Sequence, residues 1–296
     1  MTAASVGAET RSTERTFAER LTRFIAGSPI HIVLGLIGLI WLLPSVGLLI
    51  TSFRPSSDMR ATGWWTIITN PNFTLDNYQR VLEGEGIGAA FLNSVFITVP
   101  STLIPLVIAS LAAFALAWIR FPFRDTTFLV IIGLMMVPVQ IGFIPLVQGM
   151  RPTGLLTNFG AIWLTHAAYA LPFGIFLLRN FFITLPKDLI EAARIDGASN
   201  LGIFRTIVVP LSVPAIASYG IFQFLWVWND LLMSLVYVQS NAAQPMPVKI
   251  TQLLGTYASE WSLLAAASFL VMLVPLIVFF SLQRFFVQGL LAGSVK

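Results

Sequence analysis

The chain has no cysteine among its 296 residues and only two histidines. Disulfides, thiolate nucleophiles and cysteine-bound metal are therefore excluded. His31 and His166 are too few and too far apart to suggest a metal site, so none is expected. Lysine is scarce as well: Lys187, Lys249 and Lys296 are the whole set, and none follows a glycine. No Gly-Lys-Ser/Thr loop is present to cradle a phosphate, so any ATP chemistry would have to reside on another subunit. Charge is sparse too, at 10% of residues, where a soluble domain carries about a quarter.

What is present is apolar. Hydrophobic residues make up 56% of the chain and the mean hydropathy is +0.84, so lipid is the expected solvent. A net charge of +4 and a pI near 9.8 are the kind of balance that nucleic-acid binders carry. The 17 basic residues are spread along the chain and form no patch, which excludes that reading and fits charges marking one membrane face.

A bilayer core about 30 Å thick takes about 20 helical residues to cross. Six segments qualify, at roughly 31–52, 90–117, 125–148, 157–180, 212–238 and 262–285. Helices are expected because an open sheet edge in lipid leaves backbone groups unpaired. The predicted fold class is thus all-α, a polytopic bundle of six transmembrane helices. With the amino terminus inside, twelve basic residues fall on inner segments and five on outer ones, which places both termini in the cytoplasm. Residues 1–30 are polar, without a packing pattern, and are expected to form a cytoplasmic arm. The apolar run that follows is too long for a signal peptide and lacks a cleavage pattern, so it reads as an uncleaved anchor. Each predicted span contains proline: Pro44, Pro100, Pro105, Pro138, Pro145, Pro172, Pro214 and Pro275. Each removes a backbone donor and favours a kink, either as ordinary bundle packing with neighbours covering the freed carbonyls or as part of a path that opens and closes.

The segment LIEAARIDGASNLGIFRTIVVP, residues 189–210, has more pattern than a loop between spans requires. Pro186 suits a first helical turn and Asp188 complements the helix's positive end. Leu189, Ala192, Ala193 and Asp196 share a side, and Gly197 is suited to a left-handed helix stop. Ser199 can cap a second short helix, which Pro210 is expected to close. Periodicity leaves two readings open: a surface knob whose alanines admit a partner closely, or an amphipathic element resting on the membrane.

A resemblance separates them. Glu191-Ala192-Ala193, three residues, Gly197, nine residues, Ile207, one residue and Val209-Pro210 resemble the EAA motif of ABC importer permeases, with valine in place of the motif's leucine. Leu185-Pro186-Lys187-Asp188, Asp196-Gly197-Ala198-Ser199, Trp228-Asn229-Asp230, Phe73-Thr74-Leu75-Asp76-Asn77-Tyr78 and the ending FVQGLLAGSVK (286–296) resemble the carbohydrate importers in particular. The likeness covers residues 30–296 and is nearest to the smaller six-span permease of maltose-type systems and their α-glucoside relatives.

The resemblance implies a type I importer permease domain (31–285) in the bacterial cytoplasmic membrane, with a coupling segment at 186–210 and a cytoplasmic tail at 286–296. Glu191, Ala192, Ala193, Arg194, Asp196 and Gly197 would dock on a separate ATPase. Gln288, Gly289, Gly293 and Ser294 would reach the ATP-binding subunits from the tail. Implied partners are a second permease, two ATP-binding subunits that hold ATP and magnesium, an external solute-binding protein, and a sugar such as maltose or trehalose. No cofactor is expected in this chain.

FLWVWNDLLMSL (224–235) is the most polar part of any span. Trp226, Trp228, Asn229 and Asp230 either anchor the helix at the interface or line a sugar path. Gln140 either lines that path or bonds backbone. His166 reads as bonded to a neighbouring helix, with a proton relay as the alternative. The segment 239–260 is turn-rich, and by resemblance Asn241, Gln244, Pro245 and Pro247 would meet the binding protein. An ion-coupled secondary transporter would need a fuller set of intramembrane charges than Asp230 and His166. A membrane enzyme would need clustered ligands or an activated nucleophile, and neither is seen. An ABC permease for another solute, such as a polyamine or phosphate, is the remaining alternative.

Overall fold

The structure is a computed structural model that describes residues 17–84, 86–256 and 260–292, with only the backbone for 17–29 and 286–292. No strand occurs among the described residues. In chain order the helices are α1 (Phe17–Ser52), α2 (Ser56–Ala61), α3 (Asp76–Gly84), α4 (Ile87–Trp118), α5 (Arg124–Leu134), α6 (Phe143–Met150) and α7 (Gly160–Phe182). They are followed by α8 (Lys187–Ile195), α9 (Asn200–Ile203), α10 (Val209–Leu211), α11 (Val213–Trp228), α12 (Leu232–Tyr237), α13 (Met246–Thr256) and α14 (Trp261–Ala292).

Four stretches are long and apolar enough to cross a bilayer: Ile30–Ser52, Ile87–Trp118, Gly160–Phe182 and Trp261–Phe285. Two bent pairs raise the number to six if each pair is one span. The predicted third span is one of these and is not a single rod. It breaks after α5, and the chain turns by 90° into the Val139–Thr153 segment. Pro138, at the start of that segment, has no N–H to carry the ladder on. The predicted fifth span is also interrupted, because α11 ends at Trp228 and α12 begins only at Leu232. At the other end, α1 begins at Phe17, so residues 17–30 extend the first span as helix and do not form a loose arm.

Helix α4 packs along α7, and α11 lies against both α4 and α14, with α1 on the outside of α14. Small residues allow the close approach. Ala109 and Ala113 of α4 are fully buried with Leu178 and Phe182 of α7. At Gly174 a side chain would overlap the ring of Tyr219, whose hydroxyl donates to Ala170 O at 3.0 Å. A second apolar cluster, at the opposite end, joins Val81, Ile87, Met246, Leu253 and Leu263.

The interior prolines show how the bundle is fastened. A proline in a helix leaves the carbonyl four residues earlier without its N–H. Pro100 frees Phe96 O, which accepts from Trp163 Nε1 of α7 at 2.8 Å. Pro105 frees Ser101 O, which accepts from Gln223 Nε2 of α11 at 3.1 Å. Pro275 in α14 frees Val271 O, which accepts from Trp228 Nε1 at 3.1 Å. Three of the vacancies, in α4 and α14, are thus met by donors from α7 and α11.

The turn after α1 is held by Arg54, which is only 1% exposed. Its guanidinium donates to Gly63 O at 3.0 Å and Thr66 Oγ1 at 2.6 Å and pairs with Asp58 at 3.5 Å. Asn77 donates to Ser52 O and Arg54 O at 3.0 and 2.9 Å, giving the end of α1 its cap.

Trp163→Phe should strip Phe96 O of its donor and cost about 1 kcal/mol, the usual net contribution of a hydrogen bond. Thermal unfolding in detergent, followed by helical circular dichroism, should show a lower midpoint. Adding Pro100→Ala returns a backbone N–H to that carbonyl and should recover most of the loss. A double variant as unstable as Trp163→Phe alone would refute the pairing.

Candidate functional site

The segment between α7 and α11 folds as a compact knob. Helix α8 ends in a pair of bonds typical of a left-handed stop: Gly197 N–H to Arg194 O at 3.1 Å and Ala198 N–H to Ala193 O at 2.9 Å. Gly197 has φ +81°, a conformation glycine adopts without penalty. Ser199 Oγ then accepts from Gly202 N–H at 3.1 Å and caps α9. This second element ends at Leu211, one residue past Pro210, close to where Pro210 was expected to close it. The helical path continues through a π turn, Phe204–Val208, to Leu211, and turns 79° into α11 at Ser212. Pro210 sits in the first turn of α10, where its missing N–H is not needed.

The knob is fixed to the bundle on one side and bare on the other. Ile190, Ile203 and Val208 are fully buried among α4 and α7 residues, and Ala193 packs partly against them. The predicted face of Leu189, Ala192, Ala193 and Asp196 is therefore split, with Ala193 turned toward the core. Leu189, Glu191, Ala192, Ile195, Asp196 and Gly197 are exposed, Ile195 to 86%. Arg194 is exposed as well but tied back to the bundle: its Nη2 donates to Trp118 O, the last residue of α4, at 2.7 Å. Trp118 Nε1 in turn donates to Phe182 O at 3.1 Å, so the ends of α4, α7 and α8 form one block.

The polar cluster in the fifth span sits at its break. Asn229 Nδ2 donates to Leu225 O at 2.8 Å, covering a carbonyl at the end of α11. Asp230 Oδ2 accepts from Ser234 N–H at 3.2 Å in the first turn of α12. His166 Nε2 lies 3.7 Å from the same oxygen, and the Trp226 ring meets His166 edge-on. Neither nitrogen of His166 has a hydrogen-bond partner, so the expected bond to a neighbouring helix is not made. Trp228, expected on a path or at the interface, is packed inside the bundle. It is 1% exposed, stacked on Phe224, edge-on to Phe91, and its N–H is spent on Val271 O.

A cavity of about 330 Å³ opens where the broken third span passes α7 and α11. Met135, Val139, Tyr169, Ala170, Phe173, Phe222, Gln223 and Trp226 line it. Of the residues predicted for a path, only Trp226 is among them. Gln140 is exposed on the turn before α6 and its neighbour Val139 takes the cavity side. Tyr169, Phe173, Phe222 and Gln223 are not among the residues expected for a path. The signal was there in the spacing: Tyr169 with Phe173, and Phe222 with Trp226, each recur at four residues.

Half of the segment predicted as turn-rich, 239–260, is helix α13. Asn93 Nδ2 donates to Ala242 O and Gln244 O at 2.8 and 3.1 Å, and Ser94 Oγ accepts from Met246 N–H at 2.8 Å. Pro245 is buried, Pro247 lies in the first turn of α13, and Asn241 remains exposed. At the chain end α14 continues through Gln288 and Gly289 to Ala292. Gly293 and Ser294 lie outside the described residues.

Residues 105–291 match the family described as the binding-protein-dependent transport system inner membrane component. The chain belongs to this family and is a multi-pass inner-membrane protein. The osmoprotective compounds uptake permease protein GgtD of Synechocystis sp. is 50% identical over 291 residues, 97% of this chain and 98% of its own. The alpha-glucoside transport system permease protein AglG of Rhizobium meliloti is 47% identical over 257 residues, 83% of this chain and 68% of its own. Among solved structures, a chain of a bacterial ABC transporter involved in import of the acidic polysaccharide alginate superposes with a TM-score of 0.72 at 25% identity. That match covers 89% of this chain and 96% of the other.

Trp228→Phe is expected to cost about 1–3 kcal/mol by leaving Val271 O unpaired. Because the ring lies outside the cavity, the KM for cargo uptake should stay within about twofold, measured on reconstituted transporter. A large rise in KM with unchanged stability would return Trp228 to the path.

Proposed function

We propose that the chain is the smaller permease subunit of an ABC importer that carries a sugar of the α-glucoside class into the cytoplasm. It performs no catalysis itself. ATP and magnesium belong to two separate ATP-binding subunits, and a second permease and an external solute-binding protein complete the assembly. In this reading both termini and the α8–α9 knob face the cytoplasm, consistent with the bias of basic residues.

The observation that carries the proposal is the knob's two-sidedness. Its inner side is bound to α4 and α7 through Ile190, Ile203 and Arg194, while Leu189, Glu191, Ala192 and Ile195 are bare on the outer side. A partner pressing on α8 therefore pushes the ends of two spans with it. Exposed leucine and isoleucine beside alanine suit a close, partly apolar contact, with Glu191 and Asp196 supplying polar groups at its rim. ATP-driven closure of the partner would then tilt the bundle between inward- and outward-facing states, since the knob contacts it differently in each. The names of relatives such as AglG and the melibiose/raffinose/stachyose import permease protein MelC of Bacillus subtilis support a sugar as cargo. The likeness to GgtD, named for osmoprotective compounds, supports a second reading in which the cargo is an osmolyte.

The test is reconstitution with the candidate ATPase and second permease. Hydrolysis should rise when a binding protein loaded with an α-glucoside is added, and not with one offered glycine betaine. Uptake driven by a proton gradient without any ATPase would reject the proposal. Gly197→Pro fixes φ near −65° where +81° is needed and removes the N–H that bonds Arg194 O. Its expected effect is a fall of at least about tenfold in uptake per ATP hydrolysed (~1.4 kcal/mol of lost coupling), with membrane insertion intact. Normal coupling in that variant would count against the knob as the transmitting element.

A further inference from the structure

The cavity beside the broken third span holds hydrogen-bonding capacity that the packing of the bundle does not use. Gln223 is 3% exposed, yet it lines the open space. Its Nε2 is committed to Ser101 O, the carbonyl that Pro105 leaves vacant. Only the amide nitrogen can donate there, so the bond also fixes which way the amide faces. Among the described residues no donor reaches Gln223 Oε1. Tyr169 gives its hydroxyl hydrogen to Val139 O at 3.1 Å, which leaves its oxygen as an acceptor on the same cavity.

The site therefore presents acceptors whose natural complement is an O–H donor. Around them stand the half-exposed rings of Phe173, Phe222 and Trp226, with Phe173 and Phe222 edge-to-face at 6.1 Å. No Asp, Glu, Lys, Arg or His lines the space. Aromatic faces alone would also suit a quaternary ammonium. Such a cation brings no O–H or N–H, so the buried amide oxygen would stay unpaired, and an attached carboxylate would oppose two acceptors. A pyranose has both features required, C–H faces for the rings and hydroxyls at its edge. The volume of about 330 Å³ is at the low end of ligand pockets, which run from roughly 300 to 1,000 Å³. It fits one sugar ring at a time.

We propose that this cavity is a carbohydrate subsite within the permease, where Gln223 Oε1 and Tyr169 Oη accept hydroxyls of a single pyranose seated against Phe222 and Trp226. The assignment rests on the reading of the chain as a sugar permease. Gln223 thus serves two partners, with one end of its amide bridging helices and the other meeting the cargo.

The experiment uses the complete transporter in proteoliposomes, with maltose or trehalose, whichever drives uptake, and its monodeoxy analogues. Wild type should discriminate against at least one deoxy analogue by about tenfold, equal to ~1.4 kcal/mol. Gln223→Leu should slow the parent sugar by a similar factor and abolish that discrimination. Tyr169→Phe should do the same at a different hydroxyl. Equal slowing of the parent and all analogues by Gln223→Leu would reduce the residue to its helix-bridging role and overturn the subsite. Unchanged selectivity would overturn it too, even with sugar-stimulated hydrolysis intact, and the sugar-permease reading would then survive alone. Failure of wild type to move any α-glucoside would overturn both.

Discussion

Three of the backbone carbonyls that prolines vacate inside this bundle take donors from neighbouring helices, where hydrocarbon would supply none. Phe96 O, Ser101 O and Val271 O are the three cases resolved to a side-chain donor, with Trp163, Gln223 and Trp228 as the donors. Each bond is directional, so it fixes the depth and the rotation of one helix against another as apolar contact alone does not. Dispersion and small-residue packing bring α4, α7, α11 and α14 together, and these joints set their register. The prolines therefore act as sockets as much as kinks. The apolar clusters at the two ends fill the space that the joints define.

The same economy governs the breaks. Asn229 and Asp230 are costly in lipid as lone side chains, yet at a helix interruption they close the ends of α11 and α12. The knob ends its first helix with glycine and opens its second with serine, and Arg194 and Trp118 bind it back to α4 and α7. Where the chain stops being helical, local side chains meet the loose backbone groups.

The all-helical membrane class was legible from composition, since 56% hydrophobic content with 10% charge leaves little alternative. The permease family was legible in the spacing from Glu191 to Pro210, because a twenty-residue pattern rarely arises by chance. The straightness of the spans was not legible. Hydropathy counts apolar residues through Pro138 and Asn229 alike, and it cannot see that a 90° turn ends at one and a new helix follows the other. The cavity was hidden for a related reason. Gln223 lies within a run of aromatics that reads as lipid-facing, and only the position of Pro105 on a different helix gives its amide a direction. Trp228 was misplaced by the opposite error: its polar neighbours suggested a wet surface, whereas its ring fills the seam between α11 and α14.

Gln223 has a consequence beyond its own contacts. A residue that holds α4 with one atom and offers another to an open chamber makes the seam between two spans sensitive to what occupies that chamber. If the proposed subsite is filled, loading the oxygen would draw electron density from the amide and sharpen its N–H as a donor, so the chamber would grip Ser101 O more firmly than when empty. Cargo would then stiffen the wall it passes, and its departure would soften it.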